Sequence, residues 1–166
     1  MYIPKNLVMN PDKFKDSPLC SHIAEKSAMT ETKHGFLMAL YLIEQMKNPD
    51  SFWKPYVDIL PTDFSTYPWK YNEEEVEMCI GSNLFTLKED KEKIFLEWYD
   101  RAFEEFPEFR IHSKPDFFNA RLLRDSRVFS LKGKDRNQPS FVPYADMLNH
   151  KKPEKANTKW EWNSDE

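Results

Sequence analysis

The stretch Ser140 to Pro153, SFVPYADMLNHKKP, gathers the side chains of this chain best suited to chemistry. Asp146, Asn149 and His150 stand close behind the apolar pair Phe141-Val142. A carboxylate, an amide and an imidazole supply both acceptors and donors for a polar ligand. The same groups also serve to pin two chain segments where they cross, and a lone histidine is more often structural than functional. Buried polar side chains must find partners, so three of them behind an apolar run point to a bound ligand or a tight crossing. Other chemistries find less support. Cys20 and His22 form one pair, but neither Cys79 nor His34 adds a partner at the spacing a zinc centre needs, so no metal site is expected. No nucleophile-elbow motif supports a Ser/His/Asp hydrolase, and the charged run Lys88 to Lys93 reads as a solvated helix face.

The elements that must position these residues follow from periodicity and turn chemistry. Tyr2-Ile3-Pro4 reads as a short strand, with Leu7-Val8-Met9 as a second apolar patch. Glu31 to Met46 reads as a helix, and its run FLMALYLI, Phe36 to Ile43, is apolar nearly all round, which predicts burial. Asn48-Pro49 ends it, because the residue before proline disfavours helix. SFWKPYVDILP follows as a turn of helix between Pro55 and Pro61, anchored by Phe52, Trp53 and Tyr56, and an irregular connection runs on to Trp69. Asn72 is an N-cap with Glu73, Glu74 and Glu75 in the first turn beside the helix dipole. Gly81 interrupts this helix, and a longer one runs from about Leu84 to Phe106 with Ile94, Leu96, Trp98, Phe103 and Phe106. Pro107 stops it, and Pro115 opens another carrying Phe117, Phe118, Leu122 and Leu123. After Ser126 the period shortens to Val128-Leu131, a polar loop Lys132 to Pro139, then Phe141-Val142: two strands around a loop. TKWEWN alternates and places Trp160 and Trp162 on one face of a further strand.

Composition bounds the function classes. The chain has 166 residues, about one domain's length, with 40% apolar and 15% aromatic residues, too many for a disordered chain. A net charge of -4 gives no basic footprint for nucleic acid, and no run approaches the ~20 apolar residues of a membrane span. The N-terminus lacks the layout of a signal peptide. Cys20 and Cys79 suit reduced thiols of the cytoplasm or nucleus. Three scattered glycines, Gly35, Gly81 and Gly133, make no nucleotide loop.

SRVFSL (Ser126 to Leu131) followed by FVPYADMLNH (Phe141 to His150) resembles the core of SET-domain protein methyltransferases. HGFLMALYLIEQMKNPDSFWKPYVDILP (His34 to Pro61) resembles the helix and signature block of the branch that includes the Rubisco large-subunit lysine methyltransferase and the actin-histidine methyltransferase. MYIPKNLVMN resembles that branch's second strand and its exit, and the likeness covers nearly the whole chain. It implies an α+β, SET-type fold of short strands with a large helical insertion, incomplete at both ends. Residues 1–60 would be the N-terminal part of the domain, 61–120 the insertion and 121–166 the C-terminal part of the core. It implies S-adenosylmethionine as cofactor, with Arg127, Asn149 and His150 contacting it and Asp146 at the edge between cofactor and target. Phe129, Tyr144 and Ala145 would border the target side chain. Histidine-directed members resemble one another in placing an amide and a tryptophan where Phe129 and Ala145 stand here, so the resemblance implies a lysine target. The family's glycine-containing cofactor loop would precede Met1, and its catalytic tyrosine would follow Glu166. The chain is therefore expected to carry part of a site and to be inactive alone, as a fragment, a truncated gene product or one part of a split protein. A protein substrate is implied, without nucleic acid or membrane, and a larger assembly or the remainder of the same protein would complete it. The rivals are a non-catalytic module that keeps the fold for protein binding and a helical scaffold within an assembly.

Overall fold

The apolar run Phe36 to Ile43 leaves no face for water, and every one of its side chains is buried. The computed structural model describes residues 2–26, 33–107, 110, 112–132 and 137–161. Within it the run forms the middle of helix α2 (Lys33–Lys47), preceded by α1 (Pro18–Lys26) and followed by α3 (Lys54–Val57). Then come α4 (Glu73–Glu77), α5 (Asn83–Glu105), α6 (Lys114–Arg127) and the strands β1 (Phe129–Lys132) and β2 (Asn137–Ser140). Helix-rich, with one small antiparallel sheet, the chain has the expected α+β character. The expected helix start at Glu31 and Trp162 lie outside the described residues, as do the side chains of His34 and of residues 88–92.

Around α2 the core is aromatic. Phe36 lies 5.0 Å from the ring of Phe117 on α6 and 6.3 Å from Phe103 on α5, and Tyr99 closes the group at 4.6 Å from Phe103. Burying each such ring contributes about 1.5–3 kcal/mol before entropy is counted. The inward stripe of α5 is Phe95, Tyr99 and Phe103, spaced by four on one face. Ile94, a third of a turn away from that stripe, is exposed. Gly35 on α2 faces Arg121 on α6: a Cβ there would overlap the guanidinium. Arg121 is 4% exposed, with its guanidinium 4.4 Å from the Phe95 ring centre and 3.5 Å from Asp125. Cation–ring attraction and the ion pair offset part of the desolvation, although burial still pulls the group down to about 10.

Local chemistry sets the helix ends. Asn72 caps α4 in a reciprocal box with Glu75, as its residue type predicts. Gly81, at φ 85, takes the left-handed conformation that turns α4 into α5. Pro115 sits in the first turn of α6, and the Ser113 hydroxyl accepts from Asp116 N–H.

Four sequence expectations need correction. Tyr2 to Pro4 form no strand; the chain enters a 3-10 turn at Lys5–Leu7, and pairing begins at Met9, which bridges Phe141. The second strand is Asn137–Ser140, within the stretch read as a loop, in the register Phe129↔Ser140 to Lys132↔Asn137. Apolar residues mark burial, whereas the ladder follows the backbone groups that the turn brings opposite each other. Pro139, which has no N–H, is tolerated because a two-stranded sheet has only edges. Thr158 to Glu161 run without strand pairing, and Trp160 is 57% exposed. Of the anchors in SFWKPY, Trp53 and Tyr56 are buried, but Phe52 is 63% exposed.

That split is measurable. In urea denaturation Phe117→Ala is expected to cost about 3–5 kcal/mol, and Phe52→Ala less than about 1 kcal/mol. A pH effect follows from His112, which is buried beside α6 with neither ring nitrogen partnered among the described residues. Burial, then the nearby Lys47 ammonium, hold it below its ordinary 6.5. The unfolded state therefore binds the proton more readily, and stability falls as pH drops below that value towards the folded one. The thermal midpoint is expected to fall between about pH 7 and pH 5, and to fall less in His112→Gln.

Candidate functional site

Helix α6 packs on α2, which fixes where its last residue, Arg127, emerges. On the far side of the hairpin, the chain leaves the bridge at Phe141 and makes a tight turn through Pro143 and Tyr144 into a 3-10 turn at Ala145–Met147. Tyr144 takes φ 71 and ψ -43, a region costly for a residue with a Cβ. The kink sends the Tyr144 ring outward, where it is 67% exposed, and turns Ala145 and Asp146 back towards the hairpin.

Arg127 and Asp146 meet there. Arg127 Nη1 donates to Asp146 Oδ2 at 3.1 Å and to the Asp146 carbonyl at 3.3 Å. The Asp146 side chain is 0% exposed, so this pair is desolvated on the acidic side. Tyr56, from α3, donates its phenol to the same Oδ2 at 2.8 Å. Burial first, and then Asp146, push that phenol far above its ordinary range, so it stays protonated. Asp146 Oδ1 and Arg127 Nε are buried without a partner among the described residues.

Beside the pair lies a polar hollow of about 230 Å³, walled by Ser126, Arg127, Phe129, Asp146, Asn149 and His150, with Tyr67, Val128 and Leu148. The Tyr67 and Ser126 hydroxyls are 2.9 Å apart on its rim. A second, more apolar hollow of about 440 Å³ adjoins it, lined by Ile3, Val8, Leu131, Val142, Ala145 and Trp160 among others. Phe129 and Leu148 line both. Trp160 meets Phe129 edge-on at 5.7 Å. Arg127, Phe129, Asp146, Asn149 and His150 thus come together on the polar hollow, Ala145 and Phe129 on the apolar one, and Tyr144 on neither.

The sequence reading missed Tyr67 and Leu148, and it took Tyr56 only as an anchor. Tyr67 lies in an irregular connection with no pattern to mark it; Tyr56 carried a signal, a hydroxyl inside the SFWKPY block. The Cys20-His22 pair separates: the Cys20 thiol faces the Leu37 carbonyl and Glu44, whereas the His22 ring packs on Phe106. Burial pushes the Cys20 thiol well above its usual range, with Glu44 adding to the effect.

Chemically, the polar hollow suits an anionic group, which the Arg127 guanidinium in its lining would attract. The Ser126 hydroxyl donates to the Leu123 carbonyl and accepts from Tyr67, and Asp146 Oδ1 is closed off behind the ion pair. At about 230 Å³ the hollow lies below the ~300–1,000 Å³ of whole-ligand sites, so it fits one end of a larger molecule.

No protein-family model matches the chain. It is 32% identical to the chloroplastic ribulose-1,5 bisphosphate carboxylase/oxygenase large subunit N-methyltransferase of Nicotiana tabacum, over 90% of this chain and 30% of that protein. It is 30% identical to the actin-histidine N-methyltransferase of Gallus gallus, over 46% of this chain and 13% of that protein. Among solved structures, the SET domain of LSMT bound to lysine and AdoHcy matches with a TM-score of 0.73 and 28% identity, over 90% of this chain and 33% of that one. Rubisco LSMT bound to AdoMet matches with a TM-score of 0.70 and 26% identity, over 90% of this chain and 34% of that one. The chain spans about a third of the length of the plant relatives it matches.

Removing one partner of the desolvated pair strands the other. Arg127→Met is expected to destabilise the ligand-free chain by about 3 kcal/mol in urea denaturation. Adding Asp146→Leu to it is expected to recover much of that loss, a non-additivity that a double-variant cycle reads directly.

Proposed function

We propose that this chain, a relative of the SET-domain methyltransferases of the Rubisco large subunit and of actin histidine, contributes to a protein-lysine methyltransferase dependent on S-adenosylmethionine. The observation that carries the reading is the pair of hollows, one polar and one apolar, that share Phe129 and Leu148 in their linings. A methyl donor held in the first and a side chain held in the second would meet where the two linings join. The cofactor, when bound, supplies a methyl already activated on a sulfonium, which leaves positioning and desolvation as the protein's share of catalysis.

The residues divide this work. Arg127, at the C-terminal end of α6, faces the cofactor's carboxylate with a fork of donors. Asn149 and His150 contact its remaining polar parts, and Asp146, in the lining of the polar hollow only, holds Arg127 in place. Phe129 and Ala145 leave room for an aliphatic stem, and the Phe129 ring offers a π face to an amine. Apolar walls disfavour the ammonium form of the target, so the nitrogen arrives ready to accept the methyl. The match to a neighbour solved with lysine and AdoHcy supports lysine over histidine. The division into residues 1–60, 61–120 and 121–166 as domain start, helical insertion and core is part of the same proposal. So are a protein substrate and a complete site built with further protein. The free thiols Cys20 and Cys79 support a reducing compartment, cytoplasm or nucleus. No helix among the described residues is long and apolar enough to cross a membrane.

With the further protein that completes the site present, calorimetric titration with S-adenosylhomocysteine is expected to show binding that Asn149→Ala weakens by about tenfold. A completed protein that binds none overturns the cofactor reading in favour of a non-catalytic module. Mass spectrometry after incubation of the completed protein with the cofactor and a protein extract is expected to find new methyl groups on lysine. Methyl groups found on histidine alone would reverse the choice of target.

A further inference from the structure

We propose that Tyr56 is a positioning residue for this site: its phenol holds the Asp146 carboxylate in the orientation that keeps Arg127 aligned along the polar hollow. Tyr56 lines neither hollow. It acts from behind, out of a helix 90 positions away in sequence.

The geometry is specific. A carboxylate rotates freely about its last bond, a broad and roughly two-fold torsion. Two donors on one oxygen remove that freedom: Tyr56 Oη at 2.8 Å and Arg127 Nη1 at 3.1 Å both bind Oδ2 of Asp146. Oδ1 is left buried and without a partner among the described residues. If the phenol were lost, either oxygen could turn to Arg127, and neither guanidinium nor carboxylate would have a fixed direction. Burial raises the phenol well above its ordinary range, so the donor is present at neutral pH. Packing alone needs no hydroxyl here, since the Tyr56 ring already has an apolar neighbour in Phe141, 6.4 Å away. Phenylalanine would serve that contact equally well.

The nature of the occupant rests on the function proposed above; the positioning role does not. Tyr56→Phe keeps the ring and removes only the hydroxyl. In the ligand-free chain, nitrogen-detected NMR of Arg127 Nε–H is expected to show exchange with water several-fold faster in Tyr56→Phe. An unchanged rate overturns the proposal. With S-adenosylhomocysteine as the probe, the variant is expected to bind about tenfold more weakly. In an Asp146→Asn background the same change is expected to make no further difference. Unaltered affinity, or an equal loss in that background, reduces Tyr56 to a packing residue and overturns the proposal. The binding measurements are made with the further protein that completes the site present; if that unsubstituted protein binds no S-adenosylhomocysteine, the cofactor reading fails, and the exchange rate still decides the role of Tyr56.

Discussion

A helix buried on every side needs a partner on every side, and α2 imposes that demand on the rest of the chain. Helix α6 answers it from one direction and α1 from another, and α5 completes the aromatic group around Phe36 through Phe103 and Tyr99. Site geometry is a by-product of this packing. Because α6 lies against α2, its last residue, Arg127, emerges at a fixed place. Because Asn48 and Ser51 close a short turn after α2, α3 folds back and carries Tyr56 to the same place. Two elements far apart in sequence thus converge on one carboxylate.

That carboxylate is held at some expense. Moving Asp146 out of water is unfavourable, and one guanidinium bond plus one phenol bond only partly offset it. A fully satisfied pair would rigidify the hairpin junction and do little else. Here one carboxylate oxygen and one guanidinium nitrogen remain unpartnered among the described residues. Incomplete satisfaction in a buried network is unusual, and because both atoms are closed off, a new partner reaches them only if the side chains around them shift. The strained backbone at Tyr144, which turns Asp146 inward, belongs to the same pattern of local cost at a working site.

Much of this was legible in the sequence, for identifiable reasons. The burial of Phe36 to Ile43, the Asn72 cap, the break at Gly81 and the start of α6 at Pro115 are all local properties, set by side chains within one or two turns. The gathering of Arg127, Asp146, Asn149 and His150 was legible through family resemblance rather than through periodicity. What escaped was non-local or backbone-driven. Strand β2 falls on Asn137 to Ser140, whose polar residues give no alternation to read. The outward turn of Tyr144 depends on one dihedral, and the exposure of Phe52 next to buried Trp53 depends on which way a single turn of helix rolls against the core. No composition rule reaches that scale.

The close approach of Gly35 and Arg121 has a consequence for descent as well as for packing. A side chain at Gly35 displaces the far end of the Arg121 side chain, not backbone, so the glycine can change when the guanidinium swings aside or is itself replaced. Loss of the arginine would open a gap beneath Phe95 and Trp98. The two positions are therefore coupled, and a change at one alters what the other can hold.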